Sequence, residues 1–327
     1  MASVFGQNDT ILVIRIGAMG DIIHALPAVA SLKRSFPSSK LVWLVAQRWT
    51  PLLAGNPFID DLILFERSGI GALRSSWQSL RGMRPSLAID FQGLVQSAIA
   101  GRAAQPRVFF GFNRAVAREP LACVFYTRRI AVTGPHRIQR NIQLVKAAGA
   151  SQVSHQAWLP PGDDDGRLPS GPFVLTSPFA GWTSKQWPME CYELLGQRLK
   201  KEGLELVANV SKEKASELAH WKHVRLHSST LSGLIAATRR AEAVVGLDSG
   251  PLHLAAALNK PGVALFGPTD PRQTGPFGGS IQVIRAANIE TTYKRDDRLH
   301  PSMMKISVEQ VSETLLHSLA AHPVRDL

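Results

Sequence analysis

Three short stretches combine residue types that could do chemistry. The first is "RIGAMGDIIHALPA" (15–28), which follows the apolar run "ILVI". Gly17 and Gly20 permit a tight turn and close backbone approach, and Asp21 stands where a helix should begin. An aspartate there either caps the helix, worth about 1 kcal/mol, or acts as a base, and the local sequence leaves both open. The second is "SPFAGWTSKQWP" (177–188), where Lys185 and several hydroxyls sit between a strand and a helix. Such a junction could hold a diphosphate through the lysine charge and free helix-terminal N–H groups, or Lys185 could simply lie exposed beside two packing tryptophans. The third is "VVGLDSGPLHLAAAL" (244–258): an apolar run ends in Asp248-Ser249-Gly250, with His253 about one turn into the next helix. Backbone amides, a hydroxyl and an imidazole could converge there on one anion; alternatively Asp248 is a cap and His253 a satisfied helix residue. "FGPTDP" (266–271) reads by itself as a strand end and turn.

The elements that must position these residues alternate between strand and helix patterns. Strands are expected at 11–16, 40–46, 61–65, 86–91, 107–112 and 128–132, with helices over 21–35, 72–82, 94–103 and 137–148. A second series has strands at 173–178, 204–210, 243–247, 262–267 and 280–285, with helical stretches over 189–203, 230–241 and 250–259. Continuous apolar strands separated by helices imply an α/β fold, two doubly wound parallel sheets facing each other across a cleft, with ligands at the carboxyl ends of the strands. The tract 151–171 is rich in Pro, Gly, Ser and Asp and has no sustained periodicity. It suggests an N-terminal domain over 1–155, a linker over 156–171 and a C-terminal domain over 172–327.

Composition narrows the function classes. The 327 residues, 45% of them hydrophobic, suffice for two cores, and 37 Lys+Arg against 25 Asp+Glu give a formal charge of +12. That charge suits an anionic partner: a phosphorylated substrate, an anionic membrane face or nucleic acid. Nucleic acid is disfavoured, because neither an aromatic–basic platform nor a recognition-helix signature is visible. Cys123 and Cys191 form no CxxC, so neither a disulfide framework nor a structural zinc site is expected, which fits a reducing cytoplasm. The N-terminus has no basic start or apolar core of a signal peptide, and no uncharged run is a membrane helix. The first loop is not a full GxGxxG fingerprint and lacks the acidic residue about 20 positions on, so NAD is weakly supported, and Lys185 lacks the P-loop pattern. No DxD-type pair ends a strand, and "GDDDG" (162–166) reads as a solvated acidic turn, so no metal is expected.

"RIGAMGDIIHALPA", "DFQGLVQSA", "AREPLACVFY", "SKQWP", "GLDSGPLHLAAAL" and "LFGPTDP" occur in the order and approximate spacing of the ADP-heptose:lipopolysaccharide heptosyltransferases. Over residues 11 to 315 the chain resembles this group, glycosyltransferase family 9, and "QGLVQSA" with "AREPLA" points to its type I branch. The resemblance implies a GT-B fold of two Rossmann-like domains, acceptor on the first and ADP-sugar on the second, and metal-independent inverting transfer of heptose to Kdo of the lipopolysaccharide inner core. No cofactor beyond the ADP-heptose donor substrate is implied. The matching positions make Asp21 the general base; Lys185, Ser249, Gly250 and His253 diphosphate contacts; Asp248 a nucleotide-side residue that orients its loop; and Glu213 the ribose ligand. Arg15, Gly20 and Arg118 fall on the acceptor side, where Arg137 and Arg140 also lie, facing Kdo carboxylates and lipid A phosphates. A Kdo-lipid A acceptor implies a cytoplasmic protein peripheral to the inner membrane, in contact with its anionic face. The chain departs from the type I pattern at Ala180-Gly181, where a pair of threonines is usual, so Thr183 or Ser184 must replace their hydroxyls or the donor sugar differs. Other readings are a family 9 transferase with another donor or acceptor and a GT-B nucleotide-sugar epimerase, which would need no acceptor. The charged segment 290–305 is assigned no role.

Overall fold

The computed structural model describes residues 9–66, 76–166 and 168–322. The chain divides into two compact units, Met1–Pro160 and Pro161–Leu327.

In the first unit six strands form one parallel sheet: β1 Thr10–Ile14, β2 Lys40–Val45, β3 Asp61–Leu64, β4 Leu87–Asp90, β5 Val108–Phe112 and β6 Arg128–Ile130, in the order β3-β2-β1-β4-β5-β6. β1 is the strand at which the order reverses, flanked by β2 and β4 in parallel register. The helices are α1 Met19–Ser35, α2 Val95–Ala103 and α3 Arg137–Ala147. Continuous apolar runs in the central strands follow from burial on both faces. Ile11 through Ile14 and Leu41 through Val45 are almost wholly buried. Helix α1 is buried over most of its length and packs on α3. It starts at Met19 rather than at residue 21, and Ala18 occupies the N-cap with no side-chain cap bond. Part of the helix expected over 72–82 falls outside the described residues, and 76–80 is helical.

The second unit repeats the plan with β7 Phe173–Thr176, β8 Glu205–Asn209, β9 Val224–His227, β10 Ala243–Leu247, β11 Gly262–Phe266 and β12 Ile281–Arg285, in the order β12-β11-β10-β7-β8-β9. Here β7 is the reversal strand, between β10 and β8. Its helices are α4 Met189–Lys201, α5 Lys212–Glu217, α6 Leu231–Arg240, α7 Gly250–Ala257 and α8 Val308–Ala321, with short turns at Pro271–Thr274 and Pro301–Met304. Trp187, Tyr192, Leu199, Leu206, Val245, Leu265, Met303 and Leu315 belong to one core beneath these helices. Strand β9 and helix α8 are absent from the sequence expectation. Strand β9, "VRLH", is a four-residue edge strand that sets exposed Arg225 between buried Val224 and His227, so it does not read as an apolar run.

The acidic turn 162–166 is solvated, with Asp163 and Asp164 exposed, but Asp165 is also fastened to a helix start. The Asp165 carboxylate accepts the Thr230 N–H at 2.7 Å beside the start of α6, and this bond holds its pKa below the ordinary carboxylate value. Arg240 donates to the Pro169 carbonyl at 2.6 Å. Part of the tract expected as linker is thus fastened to the second unit.

Candidate active site

In the first unit the loop between β1 and α1 emerges at the carboxyl end of the reversal strand, where open α/β sheets bind ligands. Asp21 lies in the first turn of α1, not at its cap, and forms ion pairs with Arg15 through one oxygen and with Arg137 through the other. The capping alternative is therefore set aside. Arg15, buried at the end of β1, also donates to the Phe91 carbonyl at 2.8 Å, while its own carbonyl accepts from Trp43 Nε1 at 3.0 Å. Burial lowers the Arg15 pKa, opposed by the Asp21 charge beside it and reinforced by Arg137. Arg15 therefore aims Asp21, and Arg137, which is half exposed, completes the clamp from the first position of α3. His136 fixes that helix start, its Nδ1 accepting the Ile138 N–H at 3.2 Å. Arg140 turns away and donates to the Gly134 carbonyl at 2.7 Å. Gly20 is buried inside the first turn of α1.

The segments "DFQGLVQSA" and "AREPLACVFY" brace this loop. Asp90, fully buried at the end of β4, accepts from Ser97 Oγ and Tyr126 OH, each at 2.7 Å, and from the N–H groups of Gln92 and Gly93 at 2.7 and 3.3 Å. Burial pushes its pKa up against these four bonds, and burial and the Asp90 charge raise that of Tyr126. Gln92 Oε1 in turn accepts the N–H of Ile16 at 2.9 Å and of Gly17 at 3.4 Å, so β4 holds the Asp21 loop in place. Gly93 has φ +67°, and a Cβ there would come within 3.2 Å of the Arg118 nitrogen. Glu119 N–H donates to the Gly93 carbonyl at 2.9 Å, and its carboxylate accepts the Val95 N–H at 2.7 Å. Arg118 itself is exposed on this braced loop and stands apart from Asp21's clamp.

In the second unit the loops after β7, β10 and β11 meet on one carboxylate. Asp248 is buried; its Oδ2 lies 2.6 Å from Lys185 Nζ and accepts from Thr269 Oγ1 at 2.8 Å, and its Oδ1 accepts from Thr274 Oγ1 at 3.2 Å. His253 Nε2 lies 3.9 Å from the same Oδ1. Burial alone would raise the Asp248 pKa, but Lys185, His253 and the hydrogen bonds hold it below the ordinary value. Asp248 is thus the post to which Lys185 is tied. Lys185 Nζ also sits 4.2 Å from the Trp182 ring centroid, with Arg295 at 5.4 Å from the same ring. The charged segment 290–305 joins the site in this way, and its Asp296 carbonyl accepts the Ser184 N–H at 3.2 Å. Ser249 caps α7 by position only, its hydroxyl donating to the Leu247 carbonyl at 3.3 Å. Gly250 then begins a helix whose free N-terminal N–H groups suit an anion, although Pro251 contributes none. Glu213 is exposed in the first turn of α5, after β8, and its bond with Ser211 lowers its pKa. Thr269 and Thr274 were not singled out from sequence, although "FGPTDP" was; only the fold shows that its threonine turns back to β10.

Among the described residues no group of three or more His, Cys, Asp or Glu is placed to hold a metal ion, and no helix is long and apolar enough to cross a membrane.

Comparison with known proteins identifies the family and the fold. The model of glycosyltransferase family 9 (heptosyltransferase) matches residues 73–302. Lipopolysaccharide heptosyltransferase 1 of Pseudomonas aeruginosa is 31% identical over 294 residues, covering 83% of this chain and 82% of that protein. The enzyme of the same name from Escherichia coli K12 is 28% identical, covering 84% and 93%. The solved E. coli heptosyltransferase WaaC with ADP superposes with a TM-score of 0.77 at 24% identity, covering 94% of this chain and 99% of that one, and E. coli ADP-heptose lps heptosyltransferase II gives 0.78 at 23%, covering 96% and 100%. Two reversal-strand sheets with a clamped aspartate in one and a tethered lysine in the other, and a family match across most of the chain, lead to one conclusion: the chain belongs to glycosyltransferase family 9 and has its GT-B fold.

Proposed function

We propose that this protein transfers heptose from ADP-heptose to a Kdo residue of the lipopolysaccharide inner core, with inversion and without a metal. The reading is supported by the heptosyltransferase 1 relatives and, above all, by Asp21, a carboxylate held by two guanidinium groups at the carboxyl end of β1. In the reaction the acceptor hydroxyl oxygen attacks the anomeric carbon as the bond from that carbon to the diphosphate oxygen breaks. ADP departs with the bonding pair, and the acceptor proton passes to Asp21. A carboxylate ionised at neutral pH needs only to lie within hydrogen-bond reach of that proton.

Charge develops on the leaving diphosphate, so fixed cations and N–H dipoles give the main stabilisation. Lys185, Ser249, the Gly250 N–H and His253 take that role, while Asp248 positions Lys185. Asp248 also spends part of the lysine's charge, which leaves the α7 terminus a larger share of the work. Glu213, on the loop after β8, takes the ribose hydroxyls. Arg118 and Arg137 face the acceptor's carboxylate and phosphates, and an acceptor anion that draws Arg137 off Asp21 would strengthen the base as substrate binds. The protein works in the cytoplasm at the inner membrane. The test is transfer to delipidated Kdo-lipid A acceptor by purified protein and by Asp21→Asn: parent product with none from the variant supports the reading, and equal rates refute it. A different donor sugar is the second reading, favoured by Ala180-Gly181, which offer no hydroxyl; offering ADP-sugars in competition separates the two.

A further inference from the structure

Between β5 and β6 the chain crosses the sheet as a short 3-10 helix, Pro120–Phe125, that packs on α2. In a 3-10 helix residues three apart lie one above the other. Leu121 and Val124 have that spacing and are 64% and 65% exposed, while Ala122 and Cys123 turn into the core. Ile99, on the neighbouring α2, is a third exposed apolar side chain. The result is an outward apolar ridge with no folding role of its own.

The charge around it is one-sided. Residues 95–130 hold six arginines, Arg102, Arg107, Arg114, Arg118, Arg128 and Arg129, all exposed, against one acidic residue, Glu119. Glu119 is exposed as well, and its carboxylate accepts the Val95 N–H at the start of α2. The whole chain has 37 basic to 25 acidic residues, so this stretch is far more biased than the net charge requires. Exposed arginines in the same stretch of chain as a small apolar ridge match an anionic bilayer, whose head groups attract the guanidinium groups while the ridge enters the acyl boundary.

We propose that Leu121 and Val124, in this stretch rich in exposed arginines, dock the first unit on an anionic phospholipid bilayer. The inference rests on the membrane-held acceptor proposed above, but its test reads lipid binding without catalysis, so the two can fail separately. The full chain is sedimented with vesicles of phosphatidylglycerol and phosphatidylcholine in equal parts, and with phosphatidylcholine alone. Binding is expected only to the anionic vesicles, weakened about tenfold or more in Leu121→Glu/Val124→Glu and again in Arg128→Gln/Arg129→Gln. Because the ridge is exposed, Leu121→Glu/Val124→Glu should keep the parent's thermal midpoint and its rate on delipidated acceptor. Unchanged vesicle binding by Leu121→Glu/Val124→Glu would overturn the proposal. So would a concentration-dependent dimer of the parent that this variant abolishes, since the ridge would then be covered by a second copy.

Discussion

Asp21 is held like a part of the scaffold at the point where the proposed reaction needs a base. Two arginines fix both its oxygens, and the α1 N-terminus adds a favourable dipole. Asp21→Asn keeps the shape and removes the charge, so transfer should fall by about 10²–10⁴ while ADP affinity, measured by calorimetry, stays within a factor of two or so of the parent. Lys185 and Asp248 form the other decisive pair. Lys185→Met strands a buried carboxylate and should cost about 3 kcal/mol in urea unfolding, in addition to weakening ADP binding. The Asp248 pKa is depressed in the folded protein, so its contribution is present above the ordinary carboxylate value of about 4 and is lost as pH falls through the lower folded value. Asp248→Asn should therefore show a shallower loss of stability between pH 5 and pH 3 than the parent, read from urea midpoints at each pH.

At the level of elements, the "DFQGL" turn is a bracket between the loop after β1 and the loop after β5. Gly93 must adopt φ +67° with the Arg118 backbone against it, so Gly93→Ala should cost about 1–2 kcal/mol and raise KM for the acceptor more than KM for ADP-heptose. Steady-state kinetics on both substrates together with thermal melts check this. Most elements were legible in the sequence because central parallel strands are buried on both faces and read as apolar runs, as "ILVI", "AVVGL" and "GVALF" do. Strand β9 was not, since its four residues, "VRLH", include an arginine and a histidine and form no apolar run. The start of α1 differs from the expectation at residue 21: an aspartate after glycine signals a cap, yet the chain turns into the helix two residues earlier, at Met19, and leaves Asp21 to its arginines. Arg15 and Arg137 lie 122 positions apart, so their convergence on Asp21 follows from α3 packing on α1 and not from any local pattern.

For the whole molecule, each unit repeats the same device. A sheet reverses its order at one strand, and the loop leaving that strand carries the charged residue, Asp21 after β1 and Lys185 after β7. The sequence predicted both loops from apolar run, loop and helix in succession; it could not show that Thr269 and Thr274, from beyond β11, complete the Asp248 tether. ADP should bind and stabilise the protein whether or not Asp21 is intact, by about 2.7 kcal/mol at a hundredfold excess over its Kd, seen as a rise in melting temperature of parent and Asp21→Asn alike. The measurement that bears most directly on the account is mass-detected transfer from ADP-heptose to delipidated Kdo-lipid A acceptor by the purified protein in EDTA. The account predicts a product heavier by one heptose, formed at the same rate without chelator and lost in Asp21→Asn. Absence of that product from a protein that still binds ADP would contradict it.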